Sequence, residues 1–382
     1  MQMKVFLLPL FWCLWFFNFS SRTILSPLLP VLENDLGINH TLAGSFFFYL
    51  SAGFTISLLA AGWVSARLGF KKSIALATAV FATALFFLRF ADSYAYVSVI
   101  SFFMGLGTGS YLPSAVPLLT SIFKKENWGK ALAVHETAPT FSFLAIPLLT
   151  ALALEYFTWR GYILAFAGAC IVSTVMFLIF APDSPTHEGT GMKYTELLRR
   201  REFWVIAILW CTASSSVVAV YNITPLLLVN ERGISLEAAN TVLGISKVGA
   251  FAATFLIGFL VDRYGVWRML FLSLLFTGLT TLAIGLAQPF PLLVALFILQ
   301  SAFSLVFFPI GLVAISQLTD PQERSLFTGG VVAASVIFGG GVAPFALAAV
   351  ADIWSFETGI LLLGAFVVSS SLLLIFRPIR RN

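Results

Sequence analysis

Twelve apolar runs recur along this chain, at about 5–32, 41–66, 73–90, 94–122, 129–154, 159–180, 203–229, 235–261, 269–287, 291–318, 325–350 and 354–376. Roughly 20 apolar residues in a helix cross the ~30 Å hydrocarbon layer of a bilayer. Inside that layer every backbone N–H and C=O must be satisfied internally, which leaves helices or a closed barrel. Barrel strands alternate lipid-facing and lumen-facing residues, and these runs do not alternate. The expected fold is an all-α integral membrane protein with twelve transmembrane helices. Composition agrees, because charged residues make up 10 % of the chain, against about 25 % in soluble domains. Mean hydropathy is +0.96. The first run resembles a signal-peptide core, but it is too long and lacks a small-residue cleavage site, so it reads as a retained helix.

The net charge of +5 invites a nucleic-acid partner, yet placement gives another cause. With the N-terminus inside, cytoplasmic segments hold 17 of the 22 basic residues, from Lys4 through Lys193 to Arg377, Arg380 and Arg381. The opposite loops hold only Arg89, Arg160 and Arg232. Such a split sets orientation and puts both termini in the cytoplasm. No nucleic acid is needed to explain it. Cys13, Cys170 and Cys211 fall inside apolar runs without paired or metal-ligand spacing, so neither a disulfide nor a metal is expected. No cofactor is expected either.

The polar segment 181–202 divides six runs (1–180) from six (203–382), and the halves repeat at an offset of 196 residues. "DLGINHTLAG" from Asp35 matches "ERGISLEAAN" from Glu231, and Pro113 aligns with Pro309. "GWVSARLGFKKS" from Gly62 returns as "GFLVDRYGVWRM" from Gly258. Parallel repeats of this kind occur among transporters. The chain resembles the major facilitator superfamily, whose loop signature between helices 2 and 3 reads G-x-L-x-D-R-x-G-R-K. Gly62, Arg67, Gly69, Lys71 and Lys72 match it, but Ala66 stands where the signature has Asp. The second copy keeps the acid, with Gly258, Asp262, Arg263, Gly265 and Arg268. The resemblance implies a gating role for these residues, with Asp262 and Arg263 the better candidates. For Lys71 and Lys72, contact with lipid phosphates explains them equally well.

Charges within the runs are costly, ~2.5–3.5 kcal/mol each at the bilayer centre on insertion scales. This chain has Arg22, Glu136 and Lys247, with His135 beside the glutamate. Arg22 shares a helix face with Asn18 and Ser26, spaced four residues apart. The resemblance implies that helices 1, 4, 7 and 10 line a central cavity bordered by helix 8. Arg22 and Lys247 would then converge on one midplane site, where two cations repel unless an anion lies between them. That suits a carboxylate or phosphate, with Arg22 as a bidentate fork and Lys247 as a point charge. The plainer alternatives are that Arg22 satisfies carbonyls or pairs with Glu136, and that Lys247 reaches an interface. Tyr111, Tyr221, Asn222, Gln300 and Ser304 are further substrate-binding candidates, each open to a simple helix–helix hydrogen bond instead. Glu136 with His135 is the candidate proton carrier; pairing of Glu136 with Lys130 or Arg67 is the alternative.

The helix 1 arginine ahead of prolines resembles organophosphate and organic-anion porters, whereas the helix 8 cation resembles oxalate and monocarboxylate porters. Drug-exporting relatives carry an arginine where Ser101 stands and a glycine-rich pattern where "PTFSFLAIP" stands. The reading is a secondary active transporter of a small organic anion, working by alternating access as a proton symporter or anion exchanger. It is expected to act as a monomer in a bacterial inner membrane. A proton-coupled exporter of drugs or amphipathic metabolites is the alternative, followed by a non-transporting sensor. An enzyme is not expected, since no nucleophile set or phosphate loop is present.

Overall fold

The structure is a computed structural model that describes residues 2–183, 194–320 and 323–376. The middle of the expected linker, with Lys193, and the terminal Arg377, Arg380 and Arg381 lie outside the described residues. All twelve apolar runs are helical. They are α1 (Gln2–Thr23 and Leu25–Leu36), α2 (40–68), α3 (70–88), α4 (Tyr94–Ile122), α5 (Lys125–Tyr156) and α6 (Trp159–Phe180), followed by α7 (Arg201–Glu231), α8 (Leu236–Ile245 and Val248–Tyr264), α9 (Val266–Leu286), α10 (Phe290–Leu318), α11 (Leu326–Ile353) and α12 (Phe356–Ile375). Nine helices among the described residues are long and apolar enough to cross a membrane, or ten with bent α8 as one. That count takes His40–Leu88 as a single helix, although it is two spans meeting at Gly69. α1 is not among the nine.

The repeated loop sentence explains both sharp turns. Gly69 has φ 75° and ψ 163°, and Gly265, 196 residues on, has φ 84° and ψ 153°. Only glycine takes such angles without a steric penalty. Each therefore breaks the helix between two spans with no loop at all.

The chain divides into two compact units, one formed by Met1–Ile38 with Tyr49–Gly189, the other by Asn39–Phe48 with Thr190–Asn382. In the first, α4 crosses α2 at van der Waals distance. A Cβ on Gly105 would fall 1.9 Å from the Leu50 carbonyl oxygen, and one on Gly109 would fall 2.2 Å from that of Phe54. Small residues let helix backbones approach where lipid supplies no hydrophobic drive. The core beside this crossing gathers Phe11, Leu14 and Trp15 of α1, Tyr111 of α4, Ala138 of α5 and Phe177 of α6. The outward faces carry exposed Trp63, Leu152, Ile179, Leu256, Phe259 and Leu286, the surface a bilayer requires.

In the second unit, α7 winds into π-helical turns at Ser215–Ala219 and Leu227–Glu231, and α11 does so at Val336–Val342. Single π turns inside α-helices leave backbone groups off the regular ladder and concentrate at functional places. A Cβ on Gly339 would meet that of Ser214 at 2.5 Å, so α7 and α11 touch at their irregular turns.

Helix ends are tied by acids from other helices. Asp352, at the end of α11, accepts from the Thr41 amide (2.8 Å), the Thr41 hydroxyl (2.5 Å) and the His40 amide (3.2 Å), while Asn39 caps Leu42 at 3.0 Å. Glu231, at the end of α7, does the same for the amides of Phe356 and Glu357 at the start of α12. Carboxylates suit the unpaired donors and positive dipole end of a helix N-terminus.

Candidate functional site

Arg22 sits at the end of the first α1 segment, where the helix breaks. Pro27 and Pro30 lack the N–H groups that would reach the carbonyls of Thr23 and Ser26, so the run restarts at Leu25. The Arg22 guanidinium carbon lies 4.7 Å from the Phe19 ring centroid and 4.4 Å from that of Phe54 on α2. Ring faces attract a guanidinium but do not neutralise it. Among the described residues Arg22 forms no ion pair, and Glu136 is not its partner. Asn18, one turn earlier and fully buried, donates to the Thr108 carbonyl at 3.3 Å and leaves its Oδ1 without a partner. Ser26, on the same stripe, is buried at the restart.

Tyr111 belongs to a different group. Its hydroxyl lies 3.0 Å from the Phe11 carbonyl oxygen and 3.3 Å from His135 Nε2. His135 Nδ1 lies 3.0 Å from Glu136 Oε1. The Trp15 indole runs parallel to both rings, with centroids 5.1 Å from Tyr111 and 5.7 Å from His135. His135 is buried, whereas the Glu136 side chain is 49 % exposed, so a buried imidazole is joined to an accessible carboxylate. Glu136 pairs with neither Lys130 nor Arg67 among the described residues.

In the second unit, α8 breaks at Ser246–Lys247 and places the buried lysine at the head of Val248–Tyr264. Its Nζ lies 5.3 Å from the Tyr221 ring centroid on α7. The reach to an interface is not made, since Lys247 stays at 4 % exposure. Ser301 of α10 donates to the Ser246 carbonyl at 2.5 Å, holding the break open. Gln300 donates to the Ser216 carbonyl at 2.9 Å, inside the first π turn of α7, and Ser304 donates to Ser301 at 3.4 Å. Asn222 is buried beside Tyr221. Gln300 thus bonds from α10 to α7, Ser304 bonds within its own helix, and Lys247 and Tyr221 form one cation–aromatic group.

At the loop motifs, a Cβ added at Gly62 or Gly258 would meet no atom within 4 Å. The Arg67 guanidinium stacks on Trp63 at 3.9 Å. Lys71 pairs with Asp183, just past α6, at 3.3 Å, so an acid from elsewhere serves the motif that carries Ala66. Asp262 and Arg263 form no ion pair among the described residues, and Arg263 lies 5.4 Å from the Tyr264 ring. Sequence reasoning missed Asp183, Asp352 and the bidentate Arg200–Glu323 pair at 2.6 and 2.7 Å. Arg200 hydrogen-bonds the Glu323 carboxyl and holds it below its usual range, while the same bond raises the guanidinium. A signal existed only for Glu231, which aligns with Asp35 in the repeat.

Comparison with known proteins gives a consistent assignment. The family model described as Major Facilitator Superfamily matches residues 11–246 and 217–382. The chain is 24 % identical over 293 residues to a multi-drug resistance efflux pump PmrA homolog of Lactococcus lactis, covering 72 % of this chain and 71 % of that one. It is 23 % identical over 323 residues to the 4-hydroxybenzoate transporter PcaK of Acinetobacter baylyi, covering 71 % and 68 %. A crystal structure of the nucleoside transporter NupG superposes with a TM-score of 0.84 at 14 % identity, covering 98 % of this chain and 99 % of that one. With the family model spanning both halves, this multi-pass membrane chain belongs to the Major Facilitator Superfamily and is a transport protein rather than an enzyme.

Proposed function

We propose that this protein is a secondary active transporter that carries a small organic anion, bearing a carboxylate or phosphate, by alternating access. The observation that carries the reading is Arg22, a guanidinium inside a span whose neighbours are the faces of Phe19 and Phe54 and no carboxylate among the described residues. A charge so placed costs energy unless something negative arrives. Arg22 is assigned the anionic group, Asn18 and Ser26 polar contacts beside it, and Lys247 with Tyr221 a second positive contact. Asn222, Gln300 and Ser304 are assigned further polar contacts to the substrate. Similarity to a 4-hydroxybenzoate transporter supports an aromatic carboxylate as the first candidate. The joined imidazole and carboxylate of His135 and Glu136 make proton symport the preferred coupling over anion exchange. The chain acts as a monomer in a bacterial inner membrane with both termini cytoplasmic, and Arg67, Asp262 and Arg263 with their flanking glycines work the cytoplasmic gate.

Purified protein should be warmed with a panel of benzoates, phosphoesters and organic cations. An anion should raise the melting temperature, and Arg22→Ala should erase that rise. Stabilisation by cations alone overturns the anion reading and favours the exporter suggested by similarity to the PmrA homolog. That exporter would keep transport in Arg22→Ala and lose it in Glu136→Gln.

A further inference from the structure

Hydrogen counting in the Tyr111–His135–Glu136 group ties its proton content to the direction of the Tyr111 hydroxyl. Tyr111 has one hydrogen to donate. With that hydrogen on the Phe11 carbonyl at 3.0 Å, the hydroxyl oxygen can only accept from His135, so Nε2 at 3.3 Å carries a hydrogen. In a neutral ring Nδ1 is then a bare acceptor, and an ionised Glu136 Oε1 is another, 3.0 Å away. Two acceptors do not sit at that distance without a proton between them. In that hydrogen arrangement the group holds one proton more than neutral histidine plus carboxylate; with Nδ1–H donating to Glu136 and the Tyr111 hydroxyl donating to a bare Nε2, the same heavy-atom distances hold one fewer.

We infer that Tyr111 is the positioning residue that reports this proton to α1. When the site loses its proton, the stable arrangement of the same atoms reverses direction. Nδ1 keeps its hydrogen and donates to the Glu136 carboxylate, Nε2 becomes bare, and Tyr111 turns its O–H from Phe11 to Nε2. The net change is one proton lost, and with it the hydrogen bond from α4 to the α1 backbone. α1 carries Arg22 eleven residues further on. Proton occupancy at α5 is thus written into the helix that holds the proposed anion contact. The Trp15, Tyr111 and His135 rings lie parallel, within 9° of one another, and the switch needs only rotation of one hydroxyl.

Other groups around the switch are few. α1 contributes Cys13, a half-buried thiol. α5 contributes exposed Lys130. α3 contributes Phe70 and Ile74 to the same core, with Lys71 engaged by Asp183. α6 contributes Phe177, edge-on to Phe11 at 5.4 Å.

The inference rests on the proton-coupled reading above, and its test uses no substrate, so the two fail separately. The full chain holds three histidines. With 15N-histidine labelling in detergent, the resonances of His135 are those lost in His135→Gln, and their shifts report the tautomer directly. As pH is raised from acid to alkaline, Nε2 should pass from protonated to bare while Nδ1 keeps its hydrogen. Glu136→Gln, whose amide can donate to Nδ1, should fix the Nε2–H form and abolish the titration. Amide exchange of segment 11–19, corrected for intrinsic rate, should change across the same pH range. Tyr111→Phe should remove that change while His135 still titrates. A neutral Nε2–H ring in the wild type at high pH, or a titration unaffected by Glu136→Gln, refutes the proton count. Exchange in α1 that ignores pH, or follows it equally in Tyr111→Phe, refutes the role of Tyr111.

Discussion

Arg160, at the head of α6, reaches Asp35, at the end of α1, at 2.8 Å, and the same guanidinium donates to the Ala91 carbonyl at 2.7 Å. The second unit builds the same clamp with its charges exchanged. Arg232, at the end of α7, meets Glu357, at the head of α12, at 2.9 Å, and donates to the carbonyl of Ala287 at 2.8 Å. Ala91 and Ala287 are 196 residues apart, so the carbonyl acceptor is fixed while the cation has moved from one helix of the pair to the other.

The exchange predicts tolerance to reversal. Arg160→Glu or Asp35→Arg alone should lower the melting temperature, each by the equivalent of about 1 kcal/mol, as expected for a half-exposed pair. The double variant should recover part of that loss in a double-mutant cycle. Equal losses that simply add would show that the ion pair contributes nothing beyond the Ala91 bond.

Geometry at Arg22 should matter more than charge. Arg22→Lys keeps a cation but loses the fork that binds a carboxylate through two bonds. Anion affinity should fall roughly tenfold, consistent with the ~1.5–3 kcal/mol of a hydrogen bond to a charged group. Competition binding in proteoliposomes would measure it, and unchanged affinity would remove Arg22 from the contact.

The Arg200–Glu323 pair gives a pH dependence with a fixed sign. Hydrogen bonding to Arg200 lowers the Glu323 carboxyl in the folded protein. Its stabilising contribution is therefore fully present above the ordinary glutamate value, about 4.3, and is lost as pH falls through the depressed folded value. Melting curves of wild type and Glu323→Gln should differ at neutral pH and converge in acid. A difference that persists unchanged at low pH would assign the effect to packing.

Gly105→Ala tests the α2–α4 crossing. The added methyl would meet the Leu50 carbonyl oxygen at 1.9 Å, which forces the backbones apart. Overpacking of this kind costs about 1–3 kcal/mol, and the variant should melt lower than Gly62→Ala, where the space is open. Equal melting temperatures would mean that the two helices yield without cost.

Much of the fold was legible because its causes are local. Apolar length gave the spans, and the paired glycine sentences marked the turns at Gly69 and Gly265, where φ is positive in both copies. The intramembrane charges pointed to Arg22 and Lys247 for the same reason, since their cost is a property of each residue. What was not legible depends on partners far along the chain. Nothing in the spacing announces that Asp183 answers Lys71 across 112 residues, or that Tyr111 turns to His135 rather than to Arg22. The repeat aligned Asp35 with Glu231 but could not show that one binds a guanidinium and the other two helix amides.

The first turn of α2 carries one more consequence. Its amide donors at His40 and Thr41 find their acceptor in Asp352, more than three hundred residues away. A fragment cut at the central connection would keep every residue of the first repeat yet lose that carboxylate. Co-expressed fragments should reassociate through this junction, with Asp352→Ala weakening their recovery.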